Sequence, residues 1–285
     1  MEKENKNIWL TYSEKEKEEL HKICELYKSW LDRGKTEREC VELAVELAEK
    51  AGYHNLEEYL SEERQIRKGE KIYAVCMKKC IVLFRMGADP ISAGMNILGA
   101  HIDSPRIDIK QNPLYEKDDF TYLDTHYYGG IKKYQWVTQP LALHGVVVKK
   151  DGSCVNISIG EREDEPVFVI TDLLVHLASK QLEKKAGEVI EGEKLDILVG
   201  NCPIERDENL KEEKETVKAN VLKILEEAYG ISEEDFASAE LEIVPSGKAR
   251  DIGFDRSMIL AYGQDDRICA FTSIMAMLSV EDSSR

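Results

Sequence analysis

Apolar residues between Ser13 and Ala51 recur every three or four positions, which is the spacing of one face of an α-helix. Ser13 and Glu16 have the spacing of a capping box, so they predict the start of a first helix. A second helix is predicted from Thr36 to Ala51, with Gly52 ending it. The apolar face of the first helix comprises Leu20, Ile23, Cys24, Tyr27 and Leu31.

Further along the chain the pattern changes to alternation and β-branched residues, which are typical of strands. Residues 72–86 predict a strand or hairpin, and residues 96–101 predict a short buried strand that ends in a turn. One helix, from Thr171 to about Lys185, interrupts the later strands, and the residues from Arg267 onward have the composition of a buried helix. The later strand-like runs lie at residues 106–110, 140–152, 155–160 and 240–247.

This order of elements predicts an α/β domain that is interrupted by a β-rich insertion. Residues 1–104 would form the first part of the α/β domain, residues 105–246 the insertion, and residues 247–285 the start of the second part.

Composition narrows the class of protein. The formal net charge is −16, and basic residues are interspersed with acidic ones, so binding to a phosphate backbone is disfavoured and nucleic acid is not expected as a partner. Seven cysteines at irregular spacings do not indicate a disulfide framework. The first residues do not resemble a signal peptide, and no apolar run approaches the roughly 18 residues of a membrane span. We therefore expect a cytoplasmic protein with reduced thiols and no membrane partner.

The first candidate for chemistry is the pair His101 and Asp103, which follows the predicted strand 96–101. Strand ends are where open α/β sheets present ligand-binding groups. A carboxylate near a metal-bound imidazole fixes its tautomer and raises its basicity. A bare His-x-Asp is a weak signal, because a turn in which the aspartate caps the next element has the same sequence more often.

The second candidate is the acidic pair Asp265 and Asp266, which stands between Gly263 and the apolar helix. A carboxylate at the start of a helix can bridge two cations about 3.5–4 Å apart in a two-metal hydrolytic site. Capping of the helix N-terminus by aspartate is the commoner reason for an acid at this place.

Together these segments, GAHIDSP at 99–105 and GQDDR at 263–267, resemble the M18 (aspartyl aminopeptidase) family of zinc metallopeptidases. The resemblance extends to residues 125–145, 171–178 and 235–271, and covers nearly all of residues 10–280. It implies a three-layer α/β/α zinc-peptidase domain with a β-rich dimerisation insertion. It also implies a metal-dependent aminopeptidase that removes N-terminal residues, acidic or polar ones by preference, with water activated by two zinc ions.

The resemblance also implies roles for single residues. His101 would be the ligand of one zinc, Asp103 the catalytic-site carboxylate that orients it, and Asp265 the ligand that bridges both zincs. Asp266 would follow Asp265 across an unusual peptide bond without being a ligand. His176 would contribute to substrate binding across a subunit contact, in a dimer-based homo-oligomer that the family resemblance extends to a dodecamer.

The sequence departs from the family in one respect. The Glu-Glu pair that supplies the general base, a further carboxylate and the last histidine of the family's site do not occur before Arg285. We therefore expect a C-terminally truncated chain that is inactive by itself and binds zinc weakly. The alternative is a catalytically inert assembly or regulatory subunit.

Two other motifs in the sequence have structural explanations. Cys76 and Cys80 lie four residues apart in a strand-like segment without a second Cys/His pair, so we expect buried thiols rather than a metal site. Gly129 and Gly130 lack the context of a dinucleotide-binding loop and predict a turn.

Overall fold

The computed structural model describes residues 7–204 and 215–281, which form a mixed α/β fold and so confirm the predicted class. In chain order the elements are α1 (Glu14–Arg33), α2 (Glu37–Lys50), β1 (His54–Asn55), α3 (Leu56–Ser61), β2 (Lys71–Cys76), β3 (Cys80–Arg85), β4 (Arg106–Lys117), β5 (Phe120–Tyr128), β6 (Leu141–Val148), β7 (Cys154–Ile159), α4 (Ser179–Leu182), β8 (Ile197–Gly200), α5 (Thr216–Tyr229), β9 (Ala239–Pro245), β10 (Arg250–Ile252), β11 (Met258–Leu260) and α6 (Gln264–Ser279). The chain divides into two compact units, a first unit of Met1–Ile102 with Lys248–Arg285 and a second unit of Asp103–Gly247.

Both long helices of the first unit begin as the sequence predicts. The Ser13 hydroxyl accepts from the Glu16 backbone N–H, and the Glu16 carboxylate accepts from the Ser13 backbone N–H. Thr36 and Glu39 form the same reciprocal pair at the start of α2. Each capping box satisfies backbone donors that would otherwise lack a partner in the first turn.

The core of the first unit joins α1 and α2 to α6. The rings of Tyr27 and Trp30 lie 4.9 Å and 5.8 Å, centroid to centroid, from the ring of Phe271 on α6. The other buried members of this cluster are Leu31, Cys40, Leu43 and Ala44. Burial of these aromatic and aliphatic side chains fixes α6 against the first two helices.

The predicted hairpin at 72–86 is present as β2 and β3, which pair antiparallel, while β1 pairs with β2 in parallel. The predicted strand at 96–101 was wrong. These residues are coil and exposed, and no strand in the part of the chain that the structure describes pairs with them. A strand needs a neighbour for its backbone N–H and C=O groups, so an apolar run alone does not make one.

The second unit is built on a six-stranded sheet with the strand order β7-β6-β9-β4-β5-β8, in which all neighbours are antiparallel. The strand-like runs predicted after Pro105 correspond to β4, β6, β7 and β9. Gly145 in β6 has a φ of +137°, and a Cβ at this position would lie 1.9 Å from the carbonyl oxygen of Glu240. Only glycine allows β9 to approach β6 this closely.

The predicted helix from Thr171 to Lys185 was also wrong. The segment contains only a 3₁₀ turn at Val175–Leu177 and the one-turn helix α4. Its apolar residues, including Leu174 and Leu177, are exposed in this chain, so the segment lacks the packing surface that stabilises an amphipathic helix.

No helix among residues 7–204 and 215–281 combines the length and the apolar character needed to cross a bilayer. The expectation that Cys76 and Cys80 are buried was wrong, because both are exposed at the end of the β2–β3 hairpin.

Candidate metal centre

The acidic pair stands at an irregular start of α6. Gly263 precedes it with a φ of +86°, and a Cβ there would lie 2.5 Å from the Arg267 Nη1 atom, so glycine is required. The peptide bond between Asp265 and Asp266 is cis, which confirms the unusual bond that the resemblance implied. Both aspartates have non-helical dihedral angles, and their side chains therefore do not follow the regular helix surface.

Arg267 connects this start of α6 to two other segments of the first unit. Its side chain is 1% exposed. Its guanidinium donates to the carbonyl oxygens of Gly34 at 2.7 Å, Lys35 at 2.8 Å and Ile102 at 3.1 Å. The planar guanidinium thus satisfies three carbonyls at once and holds the residue after His101 beside the acidic pair. Arg267 was not among the candidate residues predicted from the sequence.

Within the first unit, His101 lies against both aspartates. Its Nε2 atom is 4.0 Å from Asp265 Oδ1 and 3.6 Å from Asp266 Oδ2. The side chains of His101 and Asp265 are 54% and 83% exposed, whereas that of Asp266 is 26% exposed. The structure therefore brings together the imidazole and the first aspartate that the sequence pointed to, and it adds Asp266 at a shorter distance.

Two neighbours distinguish Asp266 from Asp265. The Cys269 thiol donates to the Asp266 carboxylate, and this hydrogen bond raises the pKa of the thiol. The Tyr27 hydroxyl donates to Gln264 Oε1 at 2.6 Å, and burial raises the pKa of Tyr27 to about 12. Both groups therefore stay protonated at neutral pH and act as hydrogen-bond donors, the thiol to Asp266 and the phenol to Gln264.

Asp103 belongs to the second unit. Its Oδ2 atom accepts from the Tyr128 hydroxyl at 2.8 Å, and the Arg106 guanidinium lies 4.2 Å from the centroid of the Tyr128 ring. Arg106 in turn pairs with Asp108 at 2.7 Å. Asp103 is therefore held by a defined hydrogen bond at the end of β5.

His176 also lies in the second unit, where it is exposed in the 3₁₀ turn Val175–Leu177. The four predicted site residues thus fall into two groups. His101 and Asp265 converge in the first unit, and Asp103 and His176 lie in the second.

The donor set at His101 suits zinc. Zinc binds imidazole nitrogen and carboxylate oxygen at about 2.0–2.2 Å in a tetrahedral arrangement, so two donor atoms of one ion lie about 3.3–3.6 Å apart. The distance from His101 Nε2 to Asp266 Oδ2, 3.6 Å, has this spacing, and the 4.0 Å to Asp265 Oδ1 reaches it with a small side-chain movement. Exposure of the imidazole and of Asp265 leaves an entry path for an ion.

Comparison with known proteins also indicates a zinc protein. The family model described as "Aminopeptidase I zinc metalloprotease (M18)" matches residues 30–285. A curated protein from Clostridium acetobutylicum, named "Probable M18 family aminopeptidase 1", is 56% identical over 283 residues. That match covers 99% of this chain and 60% of the relative, so the chain spans about 60% of the relative's length.

Solved structures agree. Aminopeptidase I from Clostridium acetobutylicum is 54% identical with a TM-score of 0.88, and the match covers 99% of this chain and 61% of that one. An M18 family aminopeptidase from Thermotoga maritima is 43% identical with a TM-score of 0.89, over 98% of this chain and 59% of that one. The yeast aminopeptidase mApe1, solved as a dodecamer, shares the fold at 18% identity and a TM-score of 0.65, over 92% of this chain and 58% of that one.

Proposed function

Because this chain belongs to the M18 family of zinc metalloproteases, we propose that it carries part of the catalytic centre of an aminopeptidase that removes N-terminal residues from peptides. The convergence of His101 with Asp265 in the first unit is the observation that supports this proposal most directly. The family match and the two close relatives supply the class of reaction.

In the proposed centre, His101 and Asp265 would be zinc ligands, with Asp265 shared by two ions, and Asp103 would orient the imidazole, as the family resemblance implies. Asp265 is chosen over Asp266 because its carboxylate is the more exposed and because Asp266 is engaged by the Cys269 thiol. Bound zinc supplies a Lewis acid for the scissile carbonyl and a water of lowered pKa.

The chain's own residues have defined tasks in this scheme. The carboxylates of Asp265 and Asp266 provide negative charge at the point where cations and the N-terminal ammonium of a peptide would arrive. Arg267 keeps the acidic pair and residue 102 in register through its three carbonyl contacts.

The second candidate is a catalytically inert assembly or regulatory subunit. Within the described ranges only His101 and Asp265 are assigned as ligands of the proposed centre, whereas a catalytic zinc usually has three protein ligands and an open position. In the second unit, exposed apolar residues surround His176, and such a patch indicates an interaction surface. These residues are Leu173, Leu174, Val175 and Leu177.

This surface also supports a homo-oligomer. We include in the proposal that residues 105–246 act as the dimerisation or oligomerisation insertion and that His176 approaches the substrate site of a neighbouring copy. The dodecamer of yeast mApe1 is the precedent for such assembly in a protein of this fold.

Zinc binding and peptidase assays together test the proposal. We would measure zinc affinity of the 285-residue chain by competition with a chromophoric chelator, for the wild type, His101→Ala and Asp265→Asn. His176→Ala is the control, since His176 lies in the other unit and is assigned no zinc. The first two variants should each lose at least about tenfold in affinity, and the control should lose none.

Hydrolysis of aminoacyl chromogenic substrates, with and without chelator, then separates the two candidates. Cleavage that a chelator abolishes supports the peptidase. Two tightly bound zinc ions per chain contradict the inert subunit, and cleavage that resists the chelator contradicts the metal mechanism.

A further inference from the structure

Two thiols face each other at the end of the β2–β3 hairpin. Cys76 is the last residue of β2, Cys80 is the first residue of β3, and the antiparallel register pairs them directly. Both are reduced and exposed. Residues that are directly opposed in an antiparallel pair project from the same face, so the two thiols lie side by side in solvent.

The turn between them holds this arrangement. Met77 and Lys78 have φ values of 51° and 59°, and the Lys79 backbone N–H donates to the Cys76 carbonyl at 3.0 Å. The Arg38 guanidinium on α2 donates to the Met77 carbonyl at 3.2 Å. The hairpin end is thus fixed by hydrogen bonds that involve neither thiol.

The spacing of such a pair suits a covalent bond. Opposed strand residues have Cα atoms about 4.5–5.5 Å apart, which lies inside the window of about 4.4–6.8 Å found for protein disulfides. Their Cβ atoms, about 4.5–5.5 Å apart in a strand pair, need a small approach to reach the spacing of about 3.5–4.5 Å in a disulfide. A small change in the twist of the hairpin end would provide this approach.

We propose that Cys76 and Cys80 form a reversible disulfide by exchange with a low-molecular-weight disulfide such as oxidised glutathione. One cysteine thiolate attacks the reagent's S–S bond, forms a mixed disulfide and releases one glutathione. The thiolate of the other protein cysteine then attacks the protein sulfur of that mixed disulfide. This step forms the Cys76–Cys80 bond and releases the second glutathione. The two protein thiols lose two protons and two electrons, and the reagent gains them as two thiols.

This redox modification site does not depend on the proposed peptidase function. Its pairing is set by strand register, and neither cysteine belongs to the proposed metal centre. Cys154 provides an internal comparison. It is exposed at the start of β7, but its partner across the strands is Val148, so it meets the same reagent without an opposing thiol.

Peptide mapping of the wild-type 285-residue chain tests the proposal. The chain is incubated with oxidised glutathione, blocked with iodoacetamide, and digested with trypsin without reduction. Trypsin cleaves after Lys71, Lys78, Lys79 and Arg85. It therefore separates residues 72–78 from residues 80–85 unless a disulfide joins them.

The expected product is a joined pair of these peptides whose mass is two hydrogen atoms below their sum, and it should disappear on treatment with dithiothreitol. Because the opposed thiols have a high effective concentration, we expect at least about tenfold more internal disulfide than glutathione adduct at these two positions. Cys154 should carry glutathione instead.

Single variants complete the test. In Cys76→Ser and Cys80→Ser the remaining cysteine of the hairpin should carry glutathione as Cys154 does. The proposal is overturned if the wild type gives the same separate adducts as these variants, if both thiols remain unmodified while Cys154 reacts, or if either thiol is joined to a third cysteine.

Discussion

The guanidinium of Arg267 donates from Nε to the carbonyl oxygen of Ile102 at 3.1 Å, so the start of α6 is tied to the residue that follows His101. The same guanidinium also binds the carbonyls of Gly34 and Lys35. A buried charge is stable only when its hydrogen-bonding groups have partners, and here three backbone carbonyls provide them.

Replacing Arg267 by lysine should weaken both the fold and the proposed metal centre. An ammonium group lacks the planar fork and leaves some of the three carbonyls unpaired, so the free energy of unfolding should fall by about 2–4 kcal/mol. Loosening of residue 102 and the acidic pair should lower zinc affinity about 10- to 100-fold, the range found for groups that support metal ligands. Urea unfolding and chelator competition measure the two effects.

Ala48→Gly is the matched control for this variant. Ala48 is buried on α2 in the other core cluster of the first unit, and glycine there should cost about 1 kcal/mol through helix propensity. Zinc affinity of this variant should match that of the wild type. A positioning role for Arg267 is contradicted if both variants bind zinc equally well.

Gly145→Ala should severely destabilise the second unit. The new Cβ would lie 1.9 Å from the Glu240 carbonyl oxygen, at a φ that L-residues rarely adopt. We expect the free energy of unfolding to fall by more than about 3 kcal/mol. Gly152→Ala is the comparison, because its φ of +83° is also positive but nothing lies within 4 Å of the added atom, and it should cost about 1 kcal/mol. Equal losses of unfolding free energy in the two variants would show that the positive φ, and not the contact with Glu240, requires glycine at position 145.

Titration of Asp196 should lower the free energy of unfolding as the pH rises from the acid range. Burial raises the pKa of this carboxyl above 3.8, even though the Tyr115 hydroxyl donates to it at 2.6 Å. Above pH 3.8 the unfolded chain loses this proton first, so the folded state binds more protons and stability decreases until the folded pKa is passed. Asp196→Asn should remove this decrease, as measured by thermal unfolding between pH 3 and pH 8, a range of about five units.

Asp151 supplies a control of opposite sign. The Ser153 hydroxyl and backbone N–H donate to its carboxylate and hold its pKa below 3.8. Its contribution is therefore present above that pH and is lost as pH falls through the lowered pKa. Asp151→Asn should flatten the acid side of the stability profile and leave the region above pH 4 or so unchanged. A profile that neither variant alters would contradict both assignments.

The two capping boxes should contribute differently to the free energy of unfolding. Thr36 is buried and starts α2 in the middle of the core, so Thr36→Ala should cost about 1–2 kcal/mol. Ser13 starts α1 at an exposed end that can fray, and Ser13→Ala should cost about 0.5 kcal/mol. Urea unfolding of both variants measures the two losses in the free energy of unfolding. A larger loss for Ser13→Ala than for Thr36→Ala would contradict this prediction.

Features that depend on nearby residues were predictable from the sequence. The capping box at Ser13, the start of α2 near Thr36 and the β2–β3 hairpin rest on contacts between residues a few positions apart. The strand at 96–101 and the helix at 171–185 were wrong because each depends on a surface or a neighbouring strand that the residues themselves do not encode.

The residues of the candidate site also differ in how far the sequence predicts them. His101 and Asp265 were found from their chemistry and from the family resemblance, and the structure places them 4.0 Å apart. Arg267 was missed because its role consists of contacts to backbone carbonyls in two distant segments, and these contacts leave no local pattern in the sequence. The pairing of Cys76 with Cys80 was missed for a different reason, since the register of the strands decides it.

The packing of Phe271 on Tyr27 and Trp30 sets an order for assembly during translation. The first unit is discontinuous, and its aromatic cluster lacks one ring until residue 271 has been synthesised. All strands of the six-stranded sheet precede that residue, so the intervening unit can mature while α1 and α2 are still waiting for their partner. A ribosome-bound chain halted before α6 should therefore show a protease-resistant sheet and protease-sensitive N-terminal helices.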